Sequence, residues 1–376
     1  MIRYSGKVKE VINMEEIDPR IKPILDFIIP IEEKYPGLGI PVLYGVLSIM
    51  ANKSVMFIGI RGIGKTRLID LIPNITGTIV SKWDTFTYGG FHKFCQKISD
   101  ADGKVKDKTL VFKVEEFSTF SQQHREHFLT TISKIISDGS FRHITHQYYI
   151  DVENCKLTML IAIQPRIYSD LCSKYTEWDS LSYDRFTKFV LINPLRTGTC
   201  REEFHPTLPE KMTQIETFDI ENLDLSCLID LFSGHVSRGR AEIFALDYVR
   251  ALAEFLGCNN VEQWHVDLFY RLFHPYLEIF SLLQEAEDLD SPVMVRSSHL
   301  KLLSGIGSSL DYVPKKELAE LFHVSERHVE RTARELLEKE LIERYPGREA
   351  KYRLSERFRR FFEMYRDGSL FFLDVG

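Results

Sequence analysis

Three compact apolar runs punctuate the first half of the chain. "SVMFIGI" (54–60), "TLVFKVEEF" (109–117) and "LTMLIAIQP" (157–165) are rich in large apolar and β-branched residues and bounded by polar segments, which predicts buried strands. "TRLIDLI" (66–72) carries an apolar stripe at helical spacing. "RHITHQYYIDVENC" (142–155) shows period-two alternation and predicts a hairpin. A different rhythm follows in the last third. "KKELAELF" (315–322) predicts a short helix and "HVS" (323–325) a tight turn, with Ser325 as N-cap. "ERHVERTARELLEKE" (326–340) predicts a second helix with Val329, Ala333, Leu336 and Leu337 turned inward. "LIERY", "PGREA" and "KYRLS" (341–355) then predict a strand, a turn and a strand. "EAEDLDSPVMVRSSHLKLLSG" (285–305) begins acidic and carries Ser-Pro and Ser-Ser, so it is expected to be a linker or hinge.

Composition narrows the classes. A chain of 376 residues, 44% hydrophobic and 27% charged, has enough apolar material for two or three packed domains. A net charge of −6 excludes general polyanion binding, so any nucleic-acid surface must be local. None of the six cysteines forms a CxxC pair, which argues against a zinc ribbon or a disulfide framework and suits a reducing, cytoplasmic compartment. No apolar run reaches about 18 residues, so no membrane span is expected. The opening segment has no apolar core of the kind a signal peptide needs.

The first apolar run leads into Gly59-Ile60-Arg61-Gly62-Ile63-Gly64-Lys65-Thr66, which fits GxxxxGK[ST] at every fixed position. Strand, glycine loop and helix is the context that this motif needs. Gly59, Gly62 and Gly64 free the backbone to turn N–H groups, including those of Ile63 and Arg67, toward phosphate oxygens. Lys65 is expected to reach the β- and γ-phosphates of ATP, and the Thr66 hydroxyl to ligate Mg²⁺. The alternative is a plain glycine turn after a strand. The second run ends in Glu115-Glu116. Glu115 is placed in the Mg²⁺ shell and Glu116 is expected to polarise the attacking water. The third run ends in Gln164, where it could orient that water at the carboxyl end of a parallel strand. Lys113, inside an apolar strand, is left without a role. The pairs His124/His127 and His143/His146 do not complete a metal site, because no Cys or carboxylate joins them and, in the predicted hairpin, i and i+3 of the second pair point to opposite faces; the hairpin histidines, with Tyr148 and Tyr149, suit packing or substrate contact.

Together these residues resemble an AAA+ ATPase, and more narrowly the clade of MoxR-type ATPases, magnesium-chelatase subunits and MCM helicases. The resemblance covers roughly residues 20–285. "VEEFSTFSQQHREHFLTTISKIISDGSFRHI" is similar to the family's Walker B segment, and the hairpin to the one that projects toward the central pore. "LSYDRFTKFVLINP" (181–194) resembles the arginine-finger box, which implies that Arg185 meets the γ-phosphate of the next subunit. "VSRGRAEIFALDYVRALAEFLG" (236–257) resembles the sensor-2 helix, which implies Arg240, or failing that Arg238. Glu115 stands where the family has Asp, and Gln164 where it has Asn. Each lengthens a side chain by one methylene at a site where a misplacement of ~1 Å can cost a hundredfold in rate. ATP binding with slow hydrolysis, or a nucleotide-gated switch, is therefore compatible with the pattern.

About 50 residues of the last third resemble a winged helix-turn-helix domain. That implies DNA contacts by Arg327, His328, Arg331 and Arg334 on the second helix and by Arg348 and Lys351 on the wing. Residues 341–360 carry seven Arg or Lys against three Glu, whereas residues 308–376 as a whole are neutral. The charge is a patch, and a ring of copies would add avidity. The expected fold is thus α/β. It comprises an AAA+ core with a parallel sheet and an N-terminal helical segment (1–205), a helical lid (206–285), a linker (286–308) and a winged helix (309–376). The resemblance implies a ring-type homo-oligomer, a hexamer, that couples ATP to DNA remodelling. The rival readings are a MoxR-like chaperone acting on a protein client, and an ATP-switched DNA-binding regulator.

Overall fold

The run at 54–58 has no polar face and must be covered on both sides, which is how the fold uses it. The computed structural model describes residues 18–115, 117, 120–192, 204–220, 222–284, 295–307, 309, 311–368 and 370. In chain order, helices α1 (Lys22–Lys34) and α2 (Gly39–Met50) precede strand β1 (Ser54–Ile58). Then come α3 (Lys65–Leu71), β2 (Thr78–Lys82), α4 (Tyr88–Ile98), β3 (Val105–Lys106), β4 (Thr109–Val114) and α5 (Gln122–Asp138). They are followed by β5 (Phe141–Ile144), β6 (Tyr149–Glu153), β7 (Lys156–Ile163), α6 (Pro165–Lys174), α7 (Thr176–Arg185) and β8 (Phe186–Val190).

Five strands form one parallel sheet in the order β2–β4–β7–β1–β8. Its central register sets Val55 beside Leu160 and Val111 beside Thr158. With β7 between β4 and β1, the carboxyl ends of three neighbouring strands open on one edge, where ligands of parallel sheets bind. The expected hairpin forms between β5 and β6, and β3 joins it in parallel as a small second sheet. Helix α5, capped by the Ser121 hydroxyl, which accepts from the His124 N–H, ends at Gly139 in the left-handed region and delivers the chain to this hairpin.

Three helices follow: α8 (Ser226–Ser233), α9 (Arg238–Phe255) and α10 (Gln263–Leu283). Aromatic pairs bind α9 to α2 and α10 to the sheet. Tyr44 of α2 stacks on Tyr248 of α9 at 5.1 Å, and Phe189 of β8 stacks on Tyr276 of α10 at 4.6 Å. Among the described residues no helix is long and apolar enough to cross a membrane.

The segment 286–308, expected as a linker, instead contains helix α11 (Ser297–Gly307), with Leu300, Leu302, Leu303 and Ile306 buried. Its Ser-Ser and Ser-Gly pairs disguise the apolar spacing. Gly305 is required there, because the Phe322 ring lies 2.7 Å from where a Cβ would sit. Residues 285–294 lie outside the described residues. After α11 come β9 (Val313–Pro314), α12 (Lys315–Phe322), α13 (Glu326–Glu338), β10 (Ile342–Arg344), β11 (Lys351–Leu354) and α14 (Glu356–Asp367). The three strands pair antiparallel in the order β10–β11–β9. Buried Val329, Thr332, Ala333 and Leu336 face the core from α13, while Leu337 is only half-buried. Phe361 and Phe362 of α14 pack edge-on to Tyr276, each at 5.8 Å, so the C-terminal aromatics join this unit to α10.

Candidate functional site

The loop after β1 is shaped by its glycines. A Cβ on Gly59 would lie 2.8 Å from Ile63 Cγ2 and 3.2 Å from Leu191 Cβ. Gly62 and Gly64 take φ of +82° and +102°, a region that other residues enter at a cost of roughly 1–2 kcal/mol. Nothing lies within 4 Å of a Cβ built on Gly62, whereas one on Gly64 would meet Leu38 at 3.6 Å. Ile63 is buried beneath the turn. Lys65, the first residue of α3, is almost wholly buried, and its Nζ donates to the carbonyls of Gly59 and Ile60, both at 2.8 Å. The loop's own carbonyls thus hold the ammonium against the turn. Thr66 is exposed beside it, and the Arg67 guanidinium lies 5.1 Å over the Tyr35 ring. An open glycine turn with a fixed ammonium is a donor set that suits phosphate oxygens.

Glu115 follows β4 directly and forms an ion pair with Lys82, at the end of β2. Lys82 also pairs with Asp70 of α3 at 3.1 Å. The Thr66 hydroxyl and Glu115 carboxylate are hard oxygen donors of the type Mg²⁺ takes. The carboxylate, however, already faces a tethered cation. Gln164 is half-buried at the N-cap position of α6, and its carbonyl accepts from Tyr168 N–H at 2.9 Å. It stands at the same edge of the sheet as the loop. Glu116 lies outside the described residues. Lys113 finds its role here. Its Nζ donates at 2.5 Å to the carbonyl of Ile72, which closes the end of α3. Burial pushes this ammonium down to about 8.

Arg185 and Arg240 are brought together, but at the opposite end of the sheet. A cleft of about 460 Å³ at the amino ends of β1 and β7 is lined by Ser54, Lys156, Arg185, Arg240, Asp247 and Arg250, among others. At a rise of ~3.3 Å per residue, the length of β1 separates this cleft from the glycine loop of the same chain. Arg240 Nε lies 3.7 Å from Asp184 Oδ1. Burial, and then the neighbouring Arg240 charge, lower the Arg185 pKa. Arg250 and Lys53 are both committed to Asp247, at 2.8 and 2.6 Å. Arg238 is exposed at the start of α9.

The hairpin histidines divide between packing and exposure. The Tyr88 ring sits between His143, stacked at 4.2 Å, and His127 at 4.3 Å. His124 Nδ1 lies 2.8 Å from Thr85 Oγ1, and burial lowers the pKa of His127. His146 is exposed in the turn rather than on a strand, next to an exposed Ile144. Tyr149 hydroxyl donates to Asp151 at 3.3 Å, and Tyr148 packs beside Gly89. Among the described residues no three His, Cys, Asp or Glu are grouped so as to hold a metal ion.

On the C-terminal unit, Ser325, Arg327, His328, Glu330, Arg331 and Arg334 line one open depression along α13. The Ser325 hydroxyl accepts from His328 N–H at 3.2 Å, capping the helix as expected. Arg331 Nη2 lies 3.2 Å from His328 Nδ1. The β10–β11 segment is less free. Lys351 pairs with Glu349 and Arg353 with Glu343, both at 2.9 Å, and Arg357 reaches Glu278 of α10 at 2.7 Å. Arg344 and Arg348 are exposed.

Two lysines escape motif reading. Lys82 closes on Glu115, and Lys188 is buried in β8. The only signal for Lys188 was a charged residue interrupting an apolar strand, as in "FTKFV"; for Lys82 it was a charge at a strand end. Compared with known proteins, the chain matches no protein-family model and no curated protein.

Proposed function

We propose that the chain is an oligomeric ATPase of the AAA+ kind, in which ATP binds at the Gly59–Thr66 loop and is completed by the arginines of a neighbouring copy. One observation carries this reading: Lys65 sits at one end of β1 and the Arg185–Arg240 pair at the other. A pair so placed cannot serve its own loop, but in a head-to-tail ring it meets the loop of the next subunit. Lys65 and the loop N–H groups hold the phosphates, Glu116 and Gln164 orient water, and Arg185 and Arg240 offset the charge that develops on the γ-phosphoryl group. Mg²⁺, held through Thr66 and Glu115, would neutralise the β- and γ-oxygens. Helices α8–α10 serve as the lid that carries Arg240.

In this reading the C-terminal unit is a winged helix that binds DNA through α13. The order helix, strand, helix, turn, helix, hairpin supports it, as does the exposed row Arg327, Arg331 and Arg334. One observation favours a second reading, an ATP-gated switch with little turnover: the carboxylate of Glu115 is engaged by Lys82. The test is steady-state ATP hydrolysis with and without single- and double-stranded DNA at ~100 mM salt, where phosphate contacts still hold. Lys65→Ala and Glu116→Gln serve as controls. DNA stimulation lost in both variants supports the DNA motor. Hydrolysis indifferent to DNA points to a protein client, and ATP binding without hydrolysis to the switch.

A further inference from the structure

Lys188 lies in the middle of β8 with 1% of its surface exposed, facing an interior of apolar and aromatic side chains. An ammonium there is costly to desolvate, so it needs compensating partners. It has them. Its Nζ donates to the carbonyl of Ser182 and to the carbonyl of His235, both at 2.6 Å. The rings of Tyr183 and Phe280 lie 5.9 and 5.7 Å from it. The backbone N–H of Lys188 also donates to His235 Nδ1 at 3.0 Å. His235 is fully buried and neutral, since burial and the Lys188 charge push it down to about 3. With Nδ1 accepting, the proton sits on Nε2 and is donated to the Leu277 carbonyl at 3.1 Å.

The two carbonyls gripped by this ammonium belong to the two segments that present the cleft arginines. Ser182 lies in the last turn of α7, which ends at Arg185. His235 lies in the turn that leads through Ser237, the N-cap residue, into α9 and so to Arg240. One side chain therefore ties the Arg185 helix of the core to the Arg240 helix of the three-helix unit. Lys188 does not line the cleft itself.

We infer that Lys188 is a positioning residue that holds Arg185 and Arg240 in one register, so that both reach the nucleotide of the adjacent subunit together. The inference rests on the proposed trans arrangement. The contrast with Lys113 sharpens it: that lysine also interrupts an apolar strand, but it closes a single helix end on the nucleotide-binding side. Lys188 bridges two segments on the arginine side.

The experiment is ATP hydrolysis by Lys188→Met, Lys188→Arg, Arg185→Ala and Lys65→Ala, alone and in mixed assemblies, with nucleotide binding and particle size measured on each. Lys188→Met is expected to keep ATP binding and KM within about twofold while kcat falls, the signature of an interaction needed only in the transition state. The fall is expected to be roughly tenfold to hundredfold, as for a displacement of ~1 Å. Lys188→Arg, which keeps a cation, should recover part of it. Mixing Lys188→Met, with its intact loop, and Lys65→Ala, with its intact arginines, should restore hydrolysis. Mixing Lys188→Met with Arg185→Ala should not.

A native kcat for Lys188→Met, or no restoration by Lys65→Ala, overturns the role of Lys188. If the Met variant fails to assemble, Lys188→Gln retains one donor group, and a native kcat in that variant overturns the role equally. The failure of the underlying reading looks different, because Arg185→Ala itself would then hydrolyse ATP at the native rate.

Discussion

The Tyr365 hydroxyl donates a hydrogen bond to Glu32 Oε1, joining α14 to α1 across 333 residues of chain. The same carboxylate accepts from Gly39 N–H at 2.5 Å and from Gly37 N–H at 2.6 Å. Between those two glycines stands Leu38, the residue that packs beside Gly64 of the glycine loop. The C-terminal helix is thereby tied to the segment that supports the candidate phosphate site.

Burial outweighs the three donors and raises the Glu32 carboxyl from 4.5 to about 7. The native state then binds a proton between about pH 4.5 and 7 that the unfolded chain has released. The stability contributed by this group is complete below the unfolded pKa and is lost as pH rises through the folded one. The loss is on the order of 3 kcal/mol across the window. Melting temperature measured from pH 4 to 8 should fall more steeply in the native protein than in Glu32→Gln. Parallel curves would rule out titration of Glu32 in this range.

Tyr365→Phe keeps the ring in its pocket and removes only the donor. A buried acceptor that loses a partner costs ~1–3 kcal/mol, so the melting temperature should drop at every pH. The Tyr365 bond is one of the contacts that lower the Glu32 pKa, so its removal raises that pKa further. The sloping part of the stability curve should therefore extend to higher pH in this variant. A drop with no change in the shape of the curve would assign the whole effect to packing.

Lys82 and Glu115 make a separate prediction about the metal. If Glu115 holds Mg²⁺ as proposed, the ammonium paired with its carboxylate competes with the metal for it. Lys82→Ala should lower the Mg²⁺ concentration that gives half-maximal ATP hydrolysis by up to severalfold, since a half-exposed ion pair is worth up to ~1 kcal/mol. Lys82→Arg should leave it near the native value. A Mg²⁺ dependence indifferent to Lys82→Ala would place the metal away from Glu115.

The strands, the glycine loop and the two C-terminal helices were legible because each depends on local pattern: an apolar run, a fixed glycine spacing, an N-cap serine. The sequence-based reading failed at 297–307, where Ser and Gly suggested a linker. Gly305 is there to admit the Phe322 ring, a contact that no local rule contains. It was silent on Lys113 and Lys188, whose partners are backbone carbonyls 41 and 47 residues away or, for Ser182, in a neighbouring helix turn. Carbonyls carry no residue identity, so such a site leaves only a lysine among apolar neighbours. Tyr365 and Glu32 are invisible for a related reason: each is an ordinary residue until the fold sets them side by side.

The basic residues of the C-terminal unit fall into two groups, and DNA binding should separate them. Arg327, Arg331 and Arg334 are exposed along α13, and among the described residues none forms an ion pair. Lys351 and Arg353 are already paired with Glu349 and Glu343, and Arg353 lies 4.5 Å over the Tyr312 ring. If α13 lies along a DNA groove, each of these three arginines that meets a phosphate adds about 0.9 to the slope of log affinity against log salt. Arg331→Ala and Arg334→Ala should each weaken duplex binding and lower that slope by about one. Lys351→Ala and Arg353→Ala should change the slope little, because their charge is neutralised within the hairpin. The measurement is a salt titration of binding to a labelled duplex, with the intact protein and saturating ATP. Equal slopes for all five proteins would remove α13 from the interface, and a loss confined to Lys351→Ala would move the contact to the β10–β11 hairpin.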